Sequence, residues 1–174
     1  MAINMKLFFD IGYNKGEFTE ACFIKHKKCN VIGVEANEQL IKRAHFKKNL
    51  TLLHYLASDV NGEKIDFFVE FNQNGISTAS KEFMKESRFK KGSKYIPPNS
   101  SKWTHVGKVP TITLDILIKS YGNPDVIKID VEGYELSVIK GLSQKTGKIC
   151  FECHEEEKIK LKDIIRHLIK IGYD

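Results

Sequence analysis

No apolar run in this 174-residue chain approaches the roughly 20 residues of a membrane-spanning helix, and no long apolar segment follows its first residues. A membrane span and a secretory leader are therefore not expected. Cysteine is scarce: Cys22, Cys29, Cys150 and Cys153. The C-x-x-C pair ahead of His154 has no second pair to complete a zinc set. It also falls in a stretch that reads as a strand, where residues three apart point to opposite faces. The four are read as reduced, mostly buried thiols of a cytoplasmic protein. Tryptophan occurs once, at Trp103, and there is no internal repeat. The first glycine of a G-x-G-x-x-G fingerprint is missing, which argues against a nicotinamide dinucleotide.

What is present describes a soluble globular chain, 41% hydrophobic and 29% charged, long enough to bury a substantial core as a single domain. Lys and Arg number 28 against 22 Asp and Glu, a formal charge of +6. That charge allows nucleic acid, an acidic glycan or a charged membrane surface. A solvated lysine-rich surface explains it more simply.

The informative stretch is residues 8–16, Phe-Phe-Asp-Ile-Gly-Tyr-Asn-Lys-Gly. It starts as a doubly buried strand. Gly12 and Gly16 then let the backbone turn sharply and a ligand approach. A helix follows over residues 17–27, and a strand, a glycine turn and a helix N-terminus together make a nucleotide-type cradle. Asp10 stands where a dinucleotide site has its first glycine. A carboxylate repels a pyrophosphate but suits a ligand carrying a sulfonium and an ammonium group, such as S-adenosylmethionine (SAM).

The rest of the chain alternates strands and helices. Residues 31–35 are a second strand ending at Glu35, about 20 residues past the turn, where an acid can accept hydrogen bonds from a ribose diol. Asn37 caps the next helix, with Leu40, Ile41, Ala44 and Lys48 at helical spacing. Residues 50–57 read as one strand and 64–71 as another. Residues 72–108 hold Pro97-Pro98, Gly75, Gly92 and much of the basic charge, and read as a variable, lid-like insertion with a short helix over 80–89. Strands over 109–113, 126–131 and 148–153 alternate with helices over 114–121, 133–142 and 155–171. The sum is an open, mostly parallel, Rossmann-like α/β sheet whose ligand lies at the strands' carboxyl ends, where Asp10, Glu35, Asp130 and Glu132 gather.

Asp10-x-Gly12-x-Asn14-x-Gly16, Val34-Glu35, Thr113-Leu114-Asp115 and above all Lys128-Ile129-Asp130-Val131-Glu132-Gly133-Tyr134-Glu135 with Lys140-Gly141 resemble the FkbM-type family of SAM-dependent methyltransferases. The resemblance runs over nearly the whole chain and implies the class I methyltransferase fold. It also implies methyl transfer to a hydroxyl, often on a sugar or a glycosylated compound. By position, Asp10, Gly12, Asn14 and Gly16 would hold the methionine part of SAM. Glu35, with Ala36 beside it, would bind the ribose, Leu56 and Ala57 would face the adenine, and Asp130 would sit by the transferable methyl. Ser77 and Thr78 resemble a hydroxyl pair on the acceptor side, where Glu132 also stands. Tyr13 departs from the small residue usual at its place. The chain also stops where such folds continue into two further strands, which would leave the strand over 148–153 with an open edge and invite a homodimer.

In this reading the acceptor oxygen attacks the SAM methyl in line, orientation does much of the work, and a base takes the hydroxyl proton. Asp130 and His154 are the candidates. A divalent metal on Asp130 is allowed but not expected. Tyr95 and Trp103 offer faces for a sugar ring, so the expected partner is a small-molecule or glycan acceptor. Three other functions stay open. A nucleic-acid methyltransferase is disfavoured because the fourth-strand motif of amino-methylating DNA enzymes is missing. A nicotinamide oxidoreductase and a SAM-binding module without chemistry are the others.

Overall fold

The structure, a computed structural model, describes residues 5–45, 47–70, 76–86, 103–152 and 158–174. Five parallel strands form the main sheet: β1 (Lys6–Ile11), β2 (Cys29–Glu35), β3 (Leu50–His54), β8 (Val126–Ile129) and β9 (Lys148–Phe151), in the order β3-β2-β1-β8-β9. The order reverses direction at β1, and the carboxyl ends of the strands beside such a switch point are the usual ligand position in these sheets. Helices α1 (Glu17–Lys25), α2 (Glu38–Arg43), α4 (Leu114–Tyr121), α5 (Glu135–Lys140) and α6 (Lys158–Lys170) connect and flank these strands.

Both faces of the central strands β1 and β2 are covered, which is why these strands are mostly apolar, while β9 at the edge is partly exposed. Phe9, Ile11, Ile32, Val34, Ile127 and Ile129 pack with Leu114 and Leu117 of α4, Val138 and Ile139 of α5, and Ile164 of α6. Phe8 and Val31 point the other way, to Cys22 of α1 and to Tyr13. Cys22 and Cys29 are buried free thiols, while Cys150 on β9 is exposed; Cys153 lies outside the described residues. Among the described residues β9 has no strand on its outer side, and no helix is long and apolar enough to cross a membrane.

A second sheet of four strands stands at the carboxyl ends of the first: β4 (Leu56–Ala57), β7 (Trp103–Ile112), β5 (Lys64–Glu70) and β6 (Ile76–Thr78), in the order β4-β7-β5-β6. Residues 50–57 are therefore two strands rather than one. The chain leaves the parallel sheet at Tyr55, and β4 pairs with β7 instead. β7 begins at Trp103, earlier than residue 109, because its first half pairs antiparallel with β5. Helix α2 ends at Arg43, and Ala44 is already extended, so Lys48 is not on it. Helix α5 is shorter than residues 133–142 because Glu132 and Gly133, at φ of 50° and 88°, cannot belong to a right-handed helix. Within 72–108, residues 76–86 hold β6 and helix α3 (Lys81–Glu86), and 103–108 belong to β7; the remainder lies outside the described residues.

Candidate active site

The turn after β1 is built by hydrogen bonds to its neighbours. Gly12 and Tyr13 donate their backbone N–H groups to the Val34 carbonyl at 2.9 and 3.0 Å. Gly12 and Gly16 adopt φ of 77° and 80° and Asn14 of 51°, the left-handed region that glycine and asparagine tolerate best. The close approach at Gly12 is internal. A Cβ there would lie 1.8 Å from the Asp130 carbonyl oxygen, so glycine lets the loops after β1 and β8 touch. At Gly16 and Gly33 a Cβ would strike the Tyr13 ring. The bulky Tyr13 is thus accommodated by turning inward, 5% exposed, between two glycines.

Glu35 locks this turn from the neighbouring strand. Its two carboxylate oxygens accept the backbone N–H groups of Asn14 at 2.8 Å and Asn37 at 2.7 Å. Burial pushes its pKa up, opposed by those hydrogen bonds. Asn37 also accepts from the Gln39 N–H at 3.1 Å and caps α2, as its sequence position suggests.

Asp10 is fully buried beneath the turn. One oxygen accepts the Thr19 hydroxyl at 2.7 Å, and the other lies 3.3 Å from the Lys128 ammonium. Burial again raises its pKa, against the pull of Lys128. Lys128 donates to the Gly12 carbonyl at 2.7 Å and reaches Asp130 at 3.5 Å. It joins the buried acid, the glycine turn and the cleft acid. Its role was not read from the sequence, although a signal existed: a lone lysine in an apolar strand, two residues before Asp130 and hence on the same face.

The loop after β8 is held just as firmly. Asp130 donates its N–H to Ile11 at 3.0 Å. Glu132 has φ of 50°, an unfavourable conformation for a side chain of its size that the surroundings must impose. The Thr78 hydroxyl donates to the Glu132 carbonyl at 2.7 Å. Glu135, 3% exposed, accepts the N–H groups of Val131 at 3.1 Å and Gly133 at 3.3 Å. Glu135 is the second residue whose role the sequence reading missed; an acid in a first helical turn usually signals only a dipole contact.

Between these loops lies a cleft of about 400 Å³. Gly12, Asn14, Glu35, Ala36, Leu56, Ala57, Ser77, Asp130 and Glu132 line it, as do Leu40, Phe67 and Lys128. Of the other expected residues, Asp10 and Gly16 lie behind the wall and support it. Thr78 is buried and grips Glu132. Trp103 packs edge-on against Phe83, with ring centroids 6.4 Å apart. Tyr95 and His154 lie outside the described residues. Among the described residues no group of three or more His, Cys, Asp or Glu side chains could hold a metal ion.

The model of the FkbM methyltransferase domain family matches residues 10–174. This chain belongs to that family. No curated protein and no solved structure matches it. The family makes this FkbM-domain protein a methyltransferase, and the turn at Gly12 and the loop at Asp130 stand at the crevice where its fold places a ligand.

Proposed function

We propose that this FkbM-domain methyltransferase uses SAM and transfers the methyl to a hydroxyl oxygen, on a sugar or glycosylated compound. The observation that carries the reading is the make-up of the cleft lining. Leu40, Leu56, Ala57 and Phe67 line it together with Glu35, Asp130 and Glu132, and with Lys15 and Lys128. The volume suits a small molecule of nucleoside size. Acids in place of a phosphate cradle suit a cationic ligand better than a pyrophosphate. The residues therefore fit SAM, which when bound supplies a methyl on a sulfonium whose sulfur keeps the bonding electrons as the methyl leaves.

The chain's own groups would do the rest. Glu35 keeps unused lone pairs on both oxygens and would accept the ribose hydroxyls, while the apolar lining residues would flank the base. Asp130, 39% exposed, would take the proton of the acceptor hydroxyl as its oxygen forms the new bond to carbon. Lys128 would hold Asp130 in place and balance its charge beside Asp10. His154 stands as the second candidate base, and Ser77, Glu132 and Tyr95 as acceptor-side residues.

Calorimetry with S-adenosylhomocysteine, together with turnover of labelled SAM, tests the reading. One site for S-adenosylhomocysteine and none for NAD is expected. Asp130→Asn should lower kcat by about a hundredfold or more while that binding and the melting temperature hold. A near wild-type rate in the variant would remove Asp130 from the chemistry.

A further inference from the structure

We infer that Glu70 and Trp103 form a docking pair for a non-reacting hydroxyl of the acceptor; this rests on the reading of the protein as a methyltransferase for hydroxyl compounds. Glu70 closes β5 and is 1% exposed, yet neither of its carboxylate oxygens has a hydrogen-bond partner. Trp103 opens β7 directly opposite it in the antiparallel ladder. Its indole Nε1 is buried and also has no partner. Residues opposite each other in such a ladder share a face, with Cβ atoms about 5 Å apart. An ionised carboxylate can only accept and an indole N–H can only donate. The two lie side by side and do not satisfy each other.

Buried polar groups are nearly always paired, because leaving them unmet is costly. A single partner for both would have to donate to the carboxylate and accept from the indole. A hydroxyl does both at once: its proton goes to Glu70 and its oxygen takes the Trp103 N–H. A bare cation would leave the indole unmet, and an anion would be repelled by the carboxylate.

The location suits an acceptor. On its other side Glu70 pairs with Ile76, which lines the cleft together with Ser77. The Phe83 ring, against which Trp103 packs, fills the space over Gly133, next to cleft-lining Glu132. The pair does not itself line the cleft, and a ligand hydroxyl would reach it past its neighbour Ile76, which does.

Trp103 is the sole tryptophan, so its emission reports on the pair directly. The probes are methyl glycosides of common hexoses and 6-deoxyhexoses, titrated with S-adenosylhomocysteine present. At least one should shift the wild-type emission and accept labelled methyl from SAM. For that glycoside KM should rise about tenfold or more in Glu70→Gln and in Trp103→Phe, with affinity for S-adenosylhomocysteine unchanged. The melting temperature of Glu70→Gln should hold or rise, since a carboxyl group without hydrogen-bond partners is removed. No emission shift with any glycoside, an unchanged KM in both variants, or a marked loss of stability in Glu70→Gln would each overturn the inference. The last two results would leave the pair internal to the fold or served by water. Failure of the wild-type protein to bind S-adenosylhomocysteine would instead defeat the SAM reading itself.

Discussion

In the parallel sheet, Glu35 is buried and both its carboxylate oxygens accept backbone N–H groups. In the mixed sheet, Glu70 is more deeply buried and accepts none. The same contrast holds for their neighbours. Asp10 has Thr19 and Lys128, while Trp103 keeps an unmet indole N–H. The parallel half is held mostly by the protein's own hydrogen bonds, although one Asp10 oxygen meets only the Lys128 ammonium, at 3.3 Å. The other half holds polar groups that only a bound molecule would complete. A cofactor common to many acceptors calls for a preorganised wall. An acceptor pocket can keep unmet groups as its means of selection, because a ligand lacking the matching group leaves them unpaired.

The largest effect should come from Gly12→Ala, which would break the parallel half outright. Its Cβ would fall 1.8 Å from a backbone carbonyl at a φ of 77°. Steric overlap and left-handed strain together should cost on the order of 3 kcal/mol or more. A urea unfolding midpoint close to wild type would show that the two loops are not in contact.

Next comes Lys128→Met, which leaves the fully buried Asp10 without its cation. Removing one partner of a buried pair typically costs about 3 kcal/mol. Adding Asp10→Asn should recover most of that loss, because no isolated charge then remains. A double variant no more stable than Lys128→Met would show that Lys128 acts through Gly12 and Asp130 instead. Neutralising Glu70, in contrast, should not destabilise at all.

The smallest effect is in pH dependence. Burial raises the pKa of both Asp10 and Glu35. Such groups stabilise the fold fully below their unfolded pKa and lose that contribution as pH rises through the folded value. The stability gap between wild type and Glu35→Gln should therefore widen as pH falls from 7.5 towards 5. Asp125 works the other way. Its carboxylate is lowered by its bonds to Lys6 and to the Leu7 N–H against the opposing effect of desolvation, so its contribution is lost on acidification. Denaturation at the two pH values on both proteins checks the sign, and a gap that narrows would contradict it.

Much of the parallel half was legible because its signals are local. The glycine turn needs left-handed backbone at neighbouring positions. Strand–helix alternation writes itself as changes of period, and acids at strand ends fall on one edge once the strands are parallel. The mixed half was less so. Its pairings join residues far apart, such as Glu70 with Trp103, and no local period announces that β3 will end at His54 or that β7 will begin six residues before residue 109. Lys128 and Glu135 stood in plain view within the segment that carries the family resemblance, but their work is to hold backbone atoms that only folding brings near.

The amino-acid sequence by itself determined the fold class, the family and the edge of the sheet where the cleft lies, because periodicity, glycine positions and strand-end acids are properties of short stretches. Only the tertiary structure decided that Gly12 makes room for a carbonyl of β8's loop, that Asp10 acts from behind the wall through Lys128, and that Glu70 and Trp103 meet with their hydrogen bonds unmade. Those facts depend on which distant segments come into contact. That is settled by the packing of the whole chain, not by the preferences of any one part of it.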